Sequence, residues 1–223
     1  EYTSPNAADI NGNGYINTID AAMIKRLLLG LTDYGSVPEV AMIAPDTAYP
    51  YNDQAKAYLT AENPTVDDYA VYMSDSAQDV KIVLECPVEG AEFKVEYGTR
   101  EDYSDAVTVN TTDKSIAVNN LLRNTKYYVR ITATANGITR QAESSFKTAD
   151  IGPRVMTVGG ITNVRDLGGY ETSFGKTTLQ GLAFRGAQPD EKGKSVLTSQ
   201  GDKLLSRDIA VGLDLDLRSG SES

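Results

Sequence analysis

Asp9-Ile10-Asn11-Gly12-Asn13-Gly14-Tyr15-Ile16-Asn17-Thr18-Ile19-Asp20 runs directly into Ala21-Ala22-Met23-Ile24-Lys25-Arg26-Leu27-Leu28-Leu29-Gly30. Counted from Asp9, oxygen-bearing side chains stand at the first, third, fifth, ninth and twelfth positions, and Gly14 stands at the sixth. Calcium is a hard cation that takes about 6–8 oxygen ligands, and a twelve-residue loop with a sharp glycine turn supplies them at this spacing. Asp9, Asn11 and Asn13 are expected to give side-chain oxygens and Tyr15 its backbone carbonyl. Asn17 would act directly or through a water, and Asp20 closes the loop while starting a helix. Ile24, Leu27, Leu28 and Leu31 then recur on one helical face, and Gly30 is a C-terminal cap. Thr3-Ser4-Pro5-Asn6 upstream does not suit a long entering helix. The expected local fold is an EF-hand-like calcium loop with an exiting helix alone.

This stretch resembles one repeat of a type I dockerin, the module that docks enzymes onto cohesins of a cellulosome scaffold. Thr18 and Ile19 in the loop, and Lys25 and Arg26 on the helix, match the family's cohesin-recognition positions. Asn13 stands where the family usually has Asp, so Asp9 and Asp20 are the charged ligands. The family pairs two repeats, and no second such loop occurs in these 223 residues. The resemblance implies bound Ca2+, a cohesin module as partner, and an extracellular bacterial assembly, where millimolar calcium suits a site of modest charge.

Composition excludes several function classes. The net charge is −10 with no long basic run, which argues against nucleic acid, because phosphate binding needs clustered Lys and Arg. No apolar run approaches the roughly 20 residues of a membrane span. The single Cys, Cys86, cannot form an intrachain disulfide; next to Pro87 it reads as a small buried hydrophobe. The sequence has no His. That removes Ser-His and Cys-His nucleophile pairs and most zinc sites.

Pro38, Pro45, Pro50 and Pro64 punctuate a polar stretch from residue 32 to 66, expected as an extended linker that packs on the adjoining domain. Tyr49, Tyr51 and Tyr58 within it are expected to cover that domain rather than stack on sugars. From residue 67 to 150 the pattern becomes short alternating runs. Val80, Ile82 and Leu84 alternate with polar residues, as do Phe93, Val95 and Tyr97. Shorter candidates run from Ala106 to Val109 and from Ile116 to Val118. Tyr127, Val129, Ile131 and Ala133 make the clearest strand, Asn136-Gly137 is a hairpin turn, and Ile138 to Phe146 returns. Seven or so short strands predict an all-β sandwich. Leu121-Leu122-Arg123-Asn124-Thr125-Lys126-Tyr127 resembles the Leu-x-Pro-Gly-Thr-x-Tyr signature of fibronectin type III domains, with Arg123 in place of Pro. The resemblance implies a spacer or protein-binding module.

Asp150-Ile151-Gly152-Pro153 marks a boundary. Beyond it come Asn163-Val164-Arg165-Asp166-Leu167-Gly168-Gly169-Tyr170 and Leu182-Ala183-Phe184-Arg185-Gly186-Ala187. A helix is expected over Leu197 to Ile209, capped by Thr198 or Ser199, and a strand through Val211, Leu213, Leu215 and Leu217. Asp216-Leu217-Arg218-Ser219 closes that strand. The order of these pieces resembles the start of a bacterial tyrosine phosphatase family of the dual-specificity-like class. It implies a partial α/β domain over residues 151–223, with a ligand site at the carboxyl ends of parallel strands.

That family attacks phosphorus with a cysteine thiolate held by a His-Cys-x5-Arg loop. Residues 151–223 contain no Cys. By the resemblance, Asp216 matches the family's general acid, while an Asp and Arg at a strand end also suit a local ion pair. Arg165 and Asp166 read as structural, fixing the Gly168-Gly169 turn.

The expectation is thus a multidomain chain: an incomplete dockerin repeat at 1–31, a linker at 32–66, a fibronectin III-like sandwich at 67–150 and a truncated phosphatase-like domain at 151–223. It is read as a fragment of a secreted modular protein whose complete parent hydrolyses a phosphorylated substrate, the fragment itself being inactive. The alternatives are a non-catalytic extracellular adhesion module and an appendage of a glycan-degrading enzyme. The latter requires paired carboxylates elsewhere in the parent.

Overall fold

The computed structural model describes residues 10, 16, 18–28, 41–65, 78–86, 90–135, 137–188 and 196–215. Most of the regular structure is strand. The elements are α1 (Thr18–Leu28), β1 (Ala41–Ile43), β2 (Thr47–Ala48), α2 (Asp53–Thr60), β3 (Val80–Glu85), β4 (Glu92–Gly98), β5 (Val107–Thr111) and β6 (Ser115–Val118). They continue with β7 (Lys126–Ala135), β8 (Ile138–Thr148), β9 (Arg154–Val158), β10 (Ile161–Asp166), β11 (Phe184–Arg185) and α3 (Ser199–Lys203), which runs into a π-helical turn at Leu204–Asp208. Among the described residues three sheets form, in the orders β1-β3-β6, β2-β8-β7-β4-β5 and β11-β10-β9.

The chain divides into two compact units. The first comprises Glu1–Asp46, Lys81–Ile116 and Lys126–Phe146. Its strands follow the alternation of the sequence. Ile82 and Leu84 of β3, Phe93 and Val95 of β4, and Tyr127, Val129, Ile131 and Ala133 of β7 are buried. Burying each of the larger of these side chains contributes about 1.5–3 kcal/mol. β4 pairs antiparallel with β5 and β7, aligning Val95 with Val109 and with Ile131. Tyr127 stacks on Phe146 with ring centroids 5.5 Å apart. Cys86, expected to be buried, is partly exposed, because it lies just past the end of β3.

The second unit comprises Thr47–Val80, Ala117–Thr125 and Lys147–Ser223. Part of the stretch expected as linker is regular here. β2 pairs in parallel with the end of β8, Thr47 with Lys147 and Ala48 with Thr148. α2 starts at Asn52, whose Oδ1 accepts the Ala55 amide at 2.8 Å. Good helix formers fill Asp53–Thr60, and Pro50 and Pro64 bracket the helix instead of interrupting it. Tyr51, Ala55 and Val155 form a buried cluster, with Tyr49, Tyr58, Leu59 and Ile151 packed around it. The Tyr51 hydroxyl reaches the carbonyl oxygens of Ile151 and Pro153 at 2.8 and 2.6 Å.

A second cluster, Met156, Val158 and Val164, is covered by Ile161, Phe184, Leu197, Leu204, Leu205 and Ile209. The expected helix is present. Thr198 Oγ1 accepts the Gly201 amide at 3.1 Å and caps it. The expected strand from Val211 is not present over 211–215. Its apolar side chains stand exposed, Leu213 at 73%, and the Val211 amide donates to the Leu205 carbonyl at 2.8 Å. Alternation alone makes no strand without a neighbouring strand to take its amides and carbonyls. Among the described residues of 151–223 the strand pairs are antiparallel, not the parallel arrangement expected there.

Candidate functional site

α1 begins as the loop spacing requires, with Asp20 in its first turn, where a carboxylate is favoured by the helix dipole. Asp20 is 1% exposed and Met23 is also buried, while Ala21, Lys25 and Leu28 face solvent. The other candidate cation ligands, Asp9, Asn11, Asn13, Tyr15 and Asn17, lie outside the described residues. Thr18, Ile19 and Arg26 are placed on α1 by their backbone. The chemistry of the donor set fits calcium: every candidate donor is oxygen, and the chain offers no imidazole. These six residues would hold the ion, which would bind the loop to the start of α1.

In the second unit the sequence motif Asn163–Tyr170 ends in a buried polar hub. Arg154, first residue of β9, and Asp166, last residue of β10, are cross-strand partners. Arg154 Nη1 lies 2.8 Å from Asp166 Oδ2. Asp166 Oδ1 accepts the Gly168 amide at 2.8 Å, and Oδ2 accepts the Gly181 amide at 2.7 Å. Asp166 therefore fixes the Gly168-Gly169 turn, as its place in the motif suggested, and a second turn at Gly181 besides. Gly168 tolerates no side chain, since a Cβ there would overlap the Leu179 carbonyl oxygen. Arg165 donates from Nε to Asn163 Oδ1 at 3.0 Å.

The rest of the hub comes from the loop between β6 and β7. Arg154 Nε and Nη2 donate to the carbonyls of Leu121 and Asn120 at 3.0 and 2.6 Å. The Asn120 side chain pairs with the backbone of Thr157, accepting its amide at 2.7 Å and donating to its carbonyl at 3.1 Å. The Arg123 backbone pairs in the same two-bond way with the Gln180 side chain, at 2.8 and 3.0 Å. The Arg123 guanidinium lies 4.7 Å from the Tyr170 ring centroid and its Nη2 is 3.1 Å from Asp150 Oδ1. Arg123 Nε and Nη1 are buried and have no hydrogen-bond partner among the described residues. Sequence reading noted Arg123 only as a departure from Pro, and missed Asn120, Arg154 and Gln180. No local pattern marks them, because their partners lie 12 to 57 residues away.

This hub holds turns in place. Asp216 and Arg218 lie outside the described residues. Among the described residues no group of three or more His, Cys, Asp or Glu side chains gathers as a metal site. No helix among them is long and apolar enough to cross a membrane.

Two family models match the chain. A type I dockerin domain model matches residues 3–40, and a tyrosine phosphatase family model matches residues 156–223. No fibronectin type III match accompanies them, although the intervening chain is rich in sheet. No curated protein matches the chain. Type I dockerin domains bind calcium and occur in extracellular cellulosome proteins, where they dock to cohesins.

Proposed function

We propose that this chain is part of a secreted modular protein that docks through Ca2+ and its amino-terminal module onto a cohesin of a scaffold, and carries a tyrosine phosphatase-like segment. The dockerin match over 3–40, coinciding with the oxygen spacing from Asp9 to Asp20, carries the reading. Asp9, Asn11, Asn13, Tyr15, Asn17 and Asp20 hold the ion, and Thr18, Ile19, Lys25 and Arg26 face the cohesin. The domains are those of the sequence reading, 1–31, 32–66, 67–150 and 151–223. The strand orders β1-β3-β6 and β8-β7-β4-β5 support a fibronectin III-like middle domain that draws its first strand, β1, from the 32–66 stretch, since they match sheets A-B-E and G-F-C-C′ of such sandwiches.

The test is capture of the full chain on an immobilised panel of type I cohesins. Binding in millimolar calcium that is lost on chelation supports docking. Absence of binding to every member, in calcium, with a second dockerin repeat supplied in cis, overturns it.

The phosphatase resemblance makes a phosphoric ester the substrate class of the complete parent, with Asp216 as its general acid. Residues 156–223 contain no Cys, so this segment supplies no thiolate for a cysteinyl-phosphate intermediate. The same observation favours a second reading, in which the carboxyl-terminal module serves adhesion without chemistry. A His-Cys-x5-Arg stretch in the gene beyond this segment decides for the hydrolase.

A further inference from the structure

We propose that the β6–β7 loop, residues 119–125, is the docking surface for the segment bearing the phosphatase-family match, and that loop and segment fold as one cooperative unit. Loop and segment pair at three places, at two of them reciprocally. Asn120 presents both amide atoms to both backbone atoms of Thr157. Its backbone is left-handed, with φ of 56°, a conformation that Asn adopts more readily than most residues. Arg154 uses one guanidinium to bridge Asp166 and two loop carbonyls. Gln180 closes two bonds on the Arg123 backbone while Tyr170 takes the guanidinium face.

The Asn120–Thr157 bonds lie at the surface, and Arg123 and Gln180 are half-buried; the centre of the contact is closed to water. Leu121, Arg154 and Asp166 are all buried. Without the loop, Arg154 loses two acceptors while still buried, and a buried polar group left unpaired is costly; Thr157 and Gln180 also lose their partners. The loop is itself pinned from the other side. Thr148 Oγ1 donates to the Leu122 carbonyl at 2.6 Å, the Thr125 amide donates to Thr148 Oγ1 at 2.9 Å, and the Thr148 amide donates to the Thr125 carbonyl at 3.0 Å. The loop is thus a rigid template rather than a passing contact. The segment's signature turns at Gly168 and Gly181 inherit their position from it through Asp166 and Arg154.

The experiment is NMR-detected native-state amide exchange on the full chain, with increasing denaturant. The amides to watch are Thr157, Gly168 and Gly181 in the segment, and Thr125 and Thr148 at the loop. The expected result is one shared opening, all five losing protection along the same denaturant dependence. Continued protection of Thr125 and Thr148 after Gly168 and Gly181 have exchanged overturns the proposal. In Asn120→Ala, exchange should quicken about tenfold or more at Gly168 and Gly181, which Asn120 does not touch, as well as at Thr157. Quickening confined to Thr157 reduces Asn120 to a local bond and also overturns it. The milder Asn120→Asp keeps the acceptor for the Thr157 amide and should give the same pattern at smaller amplitude.

Discussion

Arg154 opens one strand and Asp166 closes its antiparallel neighbour, so the two face each other across the pair and meet at 2.8 Å in a buried site. Each also satisfies backbone groups outside the pair, so neither charge relies on the other alone. Arg154→Met should therefore be severe. It leaves Asp166 a buried charge short of its cation, and removal of one partner of such a pair costs about 3–5 kcal/mol. Chemical denaturation of the full chain, followed by signals from 154–185, should show a loss of that size. A change below about 1 kcal/mol would mean that the pair adds little.

Gly168→Ala tests the turn that the same carboxylate holds. The added methyl would overlap the Leu179 carbonyl oxygen, which is backbone and cannot swing away. The expected outcome is destabilisation with weakened protection of the Gly168 and Gly181 amides. Gly175→Ala is the control: it has space but a φ of +67°, so it should show modest strain without disturbing those amides.

Calcium binding should depend most on Asp9 and Asp20, the charged members of the proposed ligand set. Calorimetric titration of Asp20→Ala should show heat and affinity falling sharply below wild type, and Lys25→Ala should leave both unchanged. In the cohesin assay the order reverses in kind, since Lys25→Ala should weaken capture while calcium still binds. Equal calcium heats for Asp20→Ala and wild type would exclude the proposed ligand set.

Asp105 gives a pH signature within the first unit. Its Oδ2 accepts the Thr99 hydroxyl at 2.6 Å and amide at 3.0 Å, and Oδ1 accepts the Arg100 amide at 3.1 Å. The Thr99 hydroxyl bond, foremost, holds the carboxyl below its ordinary 3.8. A depressed carboxylate stabilises the fold above its unfolded value, and that stabilisation is lost as pH falls through the lower folded value. Loop 99–105 should therefore tighten as pH rises out of the acid range to about 4–5 and loosen in stronger acid. Asp105→Asn should flatten that dependence in amide exchange, and an unaltered acid profile would show that Asp105 plays no part in it.

Aryl phosphate turnover by this chain should be indistinguishable from buffer, and Asp216→Asn should change nothing. Turnover that survives alkylation of Cys86 would require a nucleophile other than cysteine.

Much of the fold was legible in the residues themselves. Strand alternation at Phe93, Val95, Tyr127, Val129 and Ile131, and the loop-to-helix transition at Asp20, are local patterns with periods of two and of about 3.6. The Thr198 cap is equally local. What tertiary structure alone decided is where distant groups meet. Asn120 finds Thr157, Arg123 finds Gln180, and Tyr51 reaches the Ile151 and Pro153 carbonyls 100 or more residues away. Val211 to Leu215 carries a strand pattern without strand structure, because a strand is a property of two segments and a sequence displays one. Periodicity reports which face a residue prefers; which polar partner satisfies it depends on chain closure over tens of residues, and no local spacing encodes that.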